Sequence, residues 1–224
     1  MTRIAFLLDV DNTLLDNDKV KADLEAAIAR YAGRDYAPTF WAEYETVRDE
    51  LDYVDVPLTL ARFRVACPRV ERFAELAAAV LFYPYEHCLY AGVPEVLAHL
   101  GEIGTLAIVS DGDPVFQPAK IARAGLAAAV GDRVLVYVHK EERLDDVQRQ
   151  VPADLYVLVD DKPRVLAAVK AAMGDRVVTV HVRQGKYARE AEEVHADVDV
   201  GSIREVAGLS REDFETAVAP APTR

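Results

Sequence analysis

The stretch Ile4–Asp16, IAFLLDVDNTLLD, sends a five-residue apolar run straight into two carboxylates, Asp9 and Asp11, and then a hydroxyl, Thr13. A short, continuous apolar run bounded by polar turn-formers predicts a strand buried on both faces, Ile4–Leu8. If strand geometry persists to its end, residues two apart share a face, and both carboxylates aim at one place. Like charges so placed call for a positive group between them or a proton on one of them.

The same pattern recurs at residues 105–109, 134–138, 155–159 and 177–182, each run nearly continuous in hydrophobicity. Helical stretches are expected between them at 94–100 after Gly92, 119–124 before Gly125 and 163–172 before Gly174, with proline near the start and glycine past the end. Strand and helix in turn predict an α/β fold, a Rossmann-like parallel sheet that binds ligands at the carboxyl ends of its strands.

Residues 17–88 break that rhythm. They carry helical spacing, as in Leu24, Ile28 and Tyr31 or Val70, Phe73, Leu76 and Val80. Helices are expected at 19–31, 39–51 with Pro38 before it, 58–66 and 70–82. The expected organisation is a catalytic core of residues 1–16 and 89–215, an inserted helical unit at 17–88, and a flexible tail at 216–224.

The chain has 224 residues, 51% hydrophobic and 29% charged, with a formal charge of −12. That charge argues against a face that tracks nucleic acid or an anionic membrane, so a phosphate ligand would need a local positive device. Cys67 and Cys88 are too few for a disulfide framework or a zinc site. The apolar start is too short for a signal-peptide core, and no run reaches membrane-spanning length, which places the expected protein in the cytoplasm.

The predicted strand ends are Asp9-Val10-Asp11-Asn12-Thr13, Ser110-Asp111-Gly112, His139-Lys140 and Asp160-Asp161. If the strands are parallel, these groups meet at one sheet edge. Such a carboxylate cluster suits Mg²⁺, which takes one or two carboxylates and keeps water and substrate oxygens as its other ligands. Any one of these acids alone reads as a turn former or helix cap. Lys140 opens the charged run KEER, which by itself reads as a solvated face.

DVDNT, VSDG, a lysine after the third strand and VLVDD, in that order, resemble the four motifs of the haloacid dehalogenase superfamily, most of whose members are Mg²⁺-dependent phosphatases. The resemblance spans residues 4 to about 182, and the inserted helices fall where that family carries its type 1 cap. It implies that Asp9 is the nucleophile and forms an aspartyl-phosphate, that Asp11 is the acid and then the base with a pKa raised by anionic neighbours, and that Thr13 steadies the loop. It further implies that Ser110 and the amides of Asp111 and Gly112 hold phosphoryl oxygens and that Lys140 offsets charge. Mg²⁺ would lie between the Asp9 side chain, the Asp11 carbonyl and the acids Asp160 and Asp161. Which of those two is the direct ligand stays open, as does Lys120 in place of Lys140. Enzymes of the family that cleave carbon–halogen bonds lack the second acid of the first motif, which is present here.

The expected partner is a small phosphorylated metabolite, for a monomer or a homodimer. A mutase-type phosphotransferase and a phosphate-binding regulatory protein are the alternatives. His181 and His195 read as structural, His87 and Cys88 as packing, and Phe40, Trp41, Tyr44 and Tyr53 as helical core. Arg48, Arg62 and Arg64 receive no role.

Overall fold

A computed structural model describes residues 1–186 and 196–217; His195 and the segment 218–224 of the expected tail lie outside the described residues. Among the described residues six parallel strands form one sheet in the order β3-β2-β1-β4-β5-β6. They are β1 (Ile4–Leu8), β2 (Thr105–Asp111), β3 (Val134–Tyr137), β4 (Leu155–Asp160), β5 (Val177–Val182) and β6 (Val198–Val200). The chain builds outward from β1 to β3, then returns to the other side of β1 with β4. The strand order therefore reverses between β1 and β4, the place where sheets of this kind open a crevice.

Alternation along β1 divides the core. Ile4, Phe6 and Leu8 pack on one face with Val96 and Leu100 of α5 (Val93–Ile103). Ala5 and Leu7 pack on the other with Val165, Leu166 and Val169 of α9 (Pro163–Met173). Gly104 closes the turn from α5 into β2 so tightly that a Cβ there would lie 2.4 Å from the Ile4 carbonyl oxygen. Only a residue without a side chain lets the backbones approach that closely.

Between β1 and α5 the chain makes α1 (Asn17–Tyr31), α2 (Ala37–Leu51), α3 (Val56–Ala66) and α4 (Phe73–Leu81). Asp16 and Asp55 cap α1 and α3 by accepting from the Lys19 and Leu58 amides. These four helices bury their own cluster around Ile28, Phe40, Leu60, Phe63 and Leu76, separate from the two sheet cores. The two crossings between this module and the sheet are tied together, Asp16 N donating to Cys88 O at 2.8 Å and Tyr90 N to Leu14 O at 3.0 Å.

The remaining helices among the described residues are α6 (Phe116–Arg123), the single turn α7 (Leu126–Ala129), α8 (Leu144–Gln150) and α10 (Arg211–Ala217). Three expectations need correction. β1 stops at Leu8, so Asp9 and Asp11 are not strand neighbours. β2 runs on through Ser110 and Asp111. β3 is an edge strand and half-buried, not covered on both faces. Expected helix ends are also shifted by up to three residues, as in α4, which starts at Phe73 because Val70 belongs to the preceding turn. No described helix is long and apolar enough to cross a membrane.

Candidate active site

After β1 the chain turns instead of extending. The Val10 carbonyl accepts from the amides of Leu14 and Leu15 at 2.9 Å each, and Asn12 adopts a left-handed φ of 63°. Asparagine tolerates that conformation better than most residues. The turn separates the two carboxylates and gives each its own cation.

Asp9, 1% exposed, faces Lys140, whose Nζ lies 2.5 Å from Asp9 Oδ1 and 2.6 Å from Asp160 Oδ2. Nζ also donates to the Val109 carbonyl at 3.2 Å, and Thr13 Oγ1 lies 3.4 Å from the other Asp9 oxygen. Lys140 points inward because its own amide is held by Asp111 Oδ1 at 2.8 Å, at the start of a 3₁₀ turn (Lys140–Glu142). The lysine of KEER is therefore 2% exposed and not part of a solvated face. Burial opposes its charge, but Asp160 and Asp9 outweigh burial and hold the ammonium well above its ordinary pKa. Asp9 itself is raised, by burial first, with Asp160 adding to it and Lys140 opposing.

Asp11 answers to different partners. Its Oδ1 pairs with Lys120 Nζ, and its Oδ2 accepts from Gln117 Nε2 at 3.1 Å. Burial pushes its pKa up, but the Lys120 charge and these hydrogen bonds bring it below the ordinary carboxylate value. The expected upward shift from anionic neighbours is thus reversed, because α6 brings a lysine to this carboxylate.

At the end of β4, Asp160 accepts from the Lys162 amide at 2.8 Å. Asp161 is fully buried, and neither of its oxygens has a hydrogen-bond partner among the described residues. Burial, then the charges of Asp9 and Asp160, push it up to about 9. One carboxylate oxygen each from Asp9, Asp160 and Asp161 lie within 4.8 Å of one another. An orphaned buried carboxylate beside two others is costly unless a cation completes it, so the donor set fits a hard, oxygen-liganded metal. Asp160 is occupied by Lys140 and its own loop, whereas Asp161 has no such partner among the described residues.

Ser110 is buried and its Oγ accepts from Gln117 Nε2 at 3.1 Å. The Gly112 amide donates to the Tyr137 carbonyl at 2.8 Å, so it is not open to a phosphoryl oxygen as the motif had implied. Gly112 has φ 153°, and a Cβ there would lie 3.1 Å from Gln117 Cβ and Cγ. Its role here is to let Gln117 pass.

Above these groups lies a cavity of about 330 Å³ between the helical module and the sheet edge. Asp11, Asp111, Gln117, Lys120 and Lys162 line its floor, while Lys21, Tyr44, Arg48 and Tyr53 line it from the module. Asp9, Lys140 and Asp161 lie beneath, outside the lining. A second hollow of about 510 Å³ runs along β3 and shares Tyr53, Gly112 and Val138 with it.

Tyr53 and Arg48 therefore stand at the cavity and not in the helical core or away from the site, whereas Phe40 and Tyr44 are buried as expected and Trp41 packs against them. Arg62 and Arg64 are engaged elsewhere, with Glu50 and the Val70 carbonyl. Cys88 is buried against the Tyr83 hydroxyl, His87 is exposed, and His181 is buried in β5 beside Asp199. Gln117 and Lys162 were missed from sequence. The i, i+3 pairing of Gln117 with Lys120 just after VSDG was the available signal.

No family model and no curated protein matches the sequence. Among solved structures the chain is similar to a protein from Burkholderia xenovorans LB400 described as a haloacid dehalogenase-like hydrolase, at 45% identity and TM-score 0.85, over 95% of this chain and 99% of that one. It shares its fold with a HAD phosphatase from Thermococcus onnurineus, at 19% identity and TM-score 0.62, over 93% of this chain and 97% of that one. It does so equally with the L-2-haloacid dehalogenase of Xanthobacter autotrophicus, at 19% identity and TM-score 0.58, over 93% and 98%. With nearly half its residues identical to a haloacid dehalogenase-like hydrolase over almost the full length of both chains, this chain belongs to the haloacid dehalogenase superfamily of hydrolases.

Proposed function

We propose that this hydrolase is a Mg²⁺-dependent phosphomonoesterase acting on a small phosphorylated metabolite, with the unit 17–88 serving as a cap over the catalytic core 1–16 and 89–215. The observation that carries the reading is the second carboxylate. Asp11 is held at the cavity floor by two side chains, separately from the buried Asp9. Displacing a halide needs no proton donor, whereas releasing an alcohol from a phosphate ester does.

Asp9, the Asp11 carbonyl and Asp161 would hold Mg²⁺, with Asp160 held back by Lys140. The ion, when bound, supplies positive charge against the phosphoryl oxygens. The Asp9 carboxylate attacks phosphorus as the bond to the ester oxygen breaks. Asp11 gives that oxygen its proton and the alcohol leaves, with the phosphoryl group on Asp9. Water then attacks phosphorus, Asp11 takes its proton, and the Asp9–phosphorus bond breaks to give inorganic phosphate and the starting enzyme. Asp11 must be acidic in the first half. A phosphoryl dianion entering beside it opposes the Lys120 charge and raises its pKa. Lys140 keeps Asp9 ionised and in place.

A cavity of about 330 Å³ suits a small substrate, and helices over it exclude water from the reacting groups. The test is phosphate release from a panel of small phosphomonoesters with Mg²⁺ and with EDTA. Metal-dependent release that Asp9→Asn removes is the expected result. Release of halide from 2-haloacids with no phosphate release would reject the reading.

A further inference from the structure

Helix α6 presents three long polar side chains at i, i+3 and i+6, the first two on Asp11 and the third on the chain returning from the helical module. Gln117, 6% exposed, donates through one amide nitrogen to both Asp11 Oδ2 and Ser110 Oγ at 3.1 Å. Lys120, also 6% exposed, pairs with Asp11 Oδ1, lies 3.4 Å from the Asn17 side-chain oxygen, and sits 5.6 Å over the Tyr85 ring. Arg123 donates to the carbonyls of Leu81 and Tyr83, the latter at 2.8 Å, and stacks over Tyr85 and Phe82.

Asn17 opens α1, and residues 81–85 carry the chain back from α4. Both crossings of the helical module thus rest on the helix that holds Asp11. The helix is fixed at its own start, where Asp113 Oδ1 accepts the Val115 amide at 2.8 Å and the Phe116 amide as well.

We propose that Lys120 and Gln117 are positioning residues that hold the Asp11 carboxylate for proton transfer, and that the seating of the helical module on α6 through Arg123 maintains that hold. The proposal rests on the phosphomonoesterase reading above. Lys120 is not a phosphoryl ligand in this arrangement. An ammonium has three donors, and here they face a carboxylate, an amide oxygen and an aromatic ring, so engaging phosphate would mean releasing Asp11. Two side chains three residues apart fix both Asp11 oxygens, which sets the direction of its proton and not merely its charge.

A positioning role has a consequence that a structural one lacks. Proton delivery matters for an alkyl phosphate, whose alkoxide leaves poorly, and little for 4-nitrophenyl phosphate, whose phenolate leaves unaided. The experiment measures the single-turnover rate of alcohol or phenol release, the step before the aspartyl-phosphate hydrolysis that both esters share, together with KM, with Mg²⁺, for the full chain and for Lys120→Met, Lys120→Arg, Gln117→Met and Arg123→Met. The ratio of the two rates on one preparation does not depend on how much of it is folded.

Lys120→Met is expected to lower that alkyl-to-aryl ratio roughly 10²-fold, and Gln117→Met roughly tenfold, with KM nearly unchanged. Lys120→Arg restores most of the ratio, and Arg123→Met lowers it in the same direction by less. Equal losses on both esters, or a loss confined to KM, would overturn the positioning role and make Lys120 a substrate ligand. An unchanged ratio in Arg123→Met would overturn the link to the module. Wild-type enzyme that releases phosphate from neither ester would instead reject the phosphomonoesterase reading, and this proposal with it.

Discussion

Lys140 Nζ lies 2.5 Å from Asp9 Oδ1, and both side chains are 2% exposed. The ammonium also touches Asp160, so one cation neutralises two buried carboxylates and fixes the geometry from which Asp9 is proposed to attack. Removing it leaves both without their paired ammonium, with only Lys162 as a more distant cation. Lys140→Met is expected to cost about 3–5 kcal/mol at neutral pH, read by urea denaturation, and to abolish turnover. A variant that keeps wild-type stability would show that the pair contributes nothing.

The two acids at the end of β4 are expected to behave differently. Mg²⁺ should raise the melting temperature of wild-type protein, because binding to the folded state alone stabilises it. Asp161→Asn abolishes that shift. Asp160→Asn, which removes a Lys140 partner, lowers the metal-free stability by roughly 1–3 kcal/mol and keeps part of the shift. The reverse pattern, scored by thermal unfolding with and without Mg²⁺, would make Asp160 the direct ligand.

Metal uptake should also depend on pH in a defined direction. Burial, with the charges of Asp9 and Asp160, places Asp161 at about 9, so at neutral pH its carboxyl carries a proton that a cation must displace. Mg²⁺ affinity therefore rises as pH climbs from neutrality toward that value, with about one proton released per ion. Calorimetric titration in two buffers of different ionisation enthalpy counts that proton. Uptake without proton release would contradict the assignment.

Gly112 combines a φ of 153° with a close approach to Gln117. Gly112→Ala is expected to cost about 1–3 kcal/mol in denaturant unfolding and to slow turnover by displacing Gln117 from Asp11 and Ser110. A change below about 0.5 kcal/mol would mean that the turn relaxes freely.

The sheet and the meeting of four strand ends were legible because buried parallel strands are continuous apolar runs and their exits are marked by acids and glycine. Strand β6 was not, since three residues with Asp199 at their centre show no period. Helix α8 hid in a charged segment whose one buried side chain is Val147. At the site, Asp9 and Lys140 could be named, but not that the lysine of KEER turns inward, which depends on Asp111 accepting its amide from across the sheet edge. The partners of Asp11 were the larger omission. Sequence spacing shows that Gln117 and Lys120 share a helix face but not what that face meets, so from sequence Lys120 stands only as a substitute for Lys140.

The central claim is that Asp9 carries the phosphoryl group. The most direct measurement is an acid quench of enzyme turning over a phosphomonoester with Mg²⁺, followed by peptide mass analysis. A phosphoryl adduct on Asp9, absent with EDTA and absent in Asp9→Asn, is the predicted result. Phosphate release under the same conditions with no adduct on Asp9, or with release undiminished in Asp9→Asn, would contradict the account.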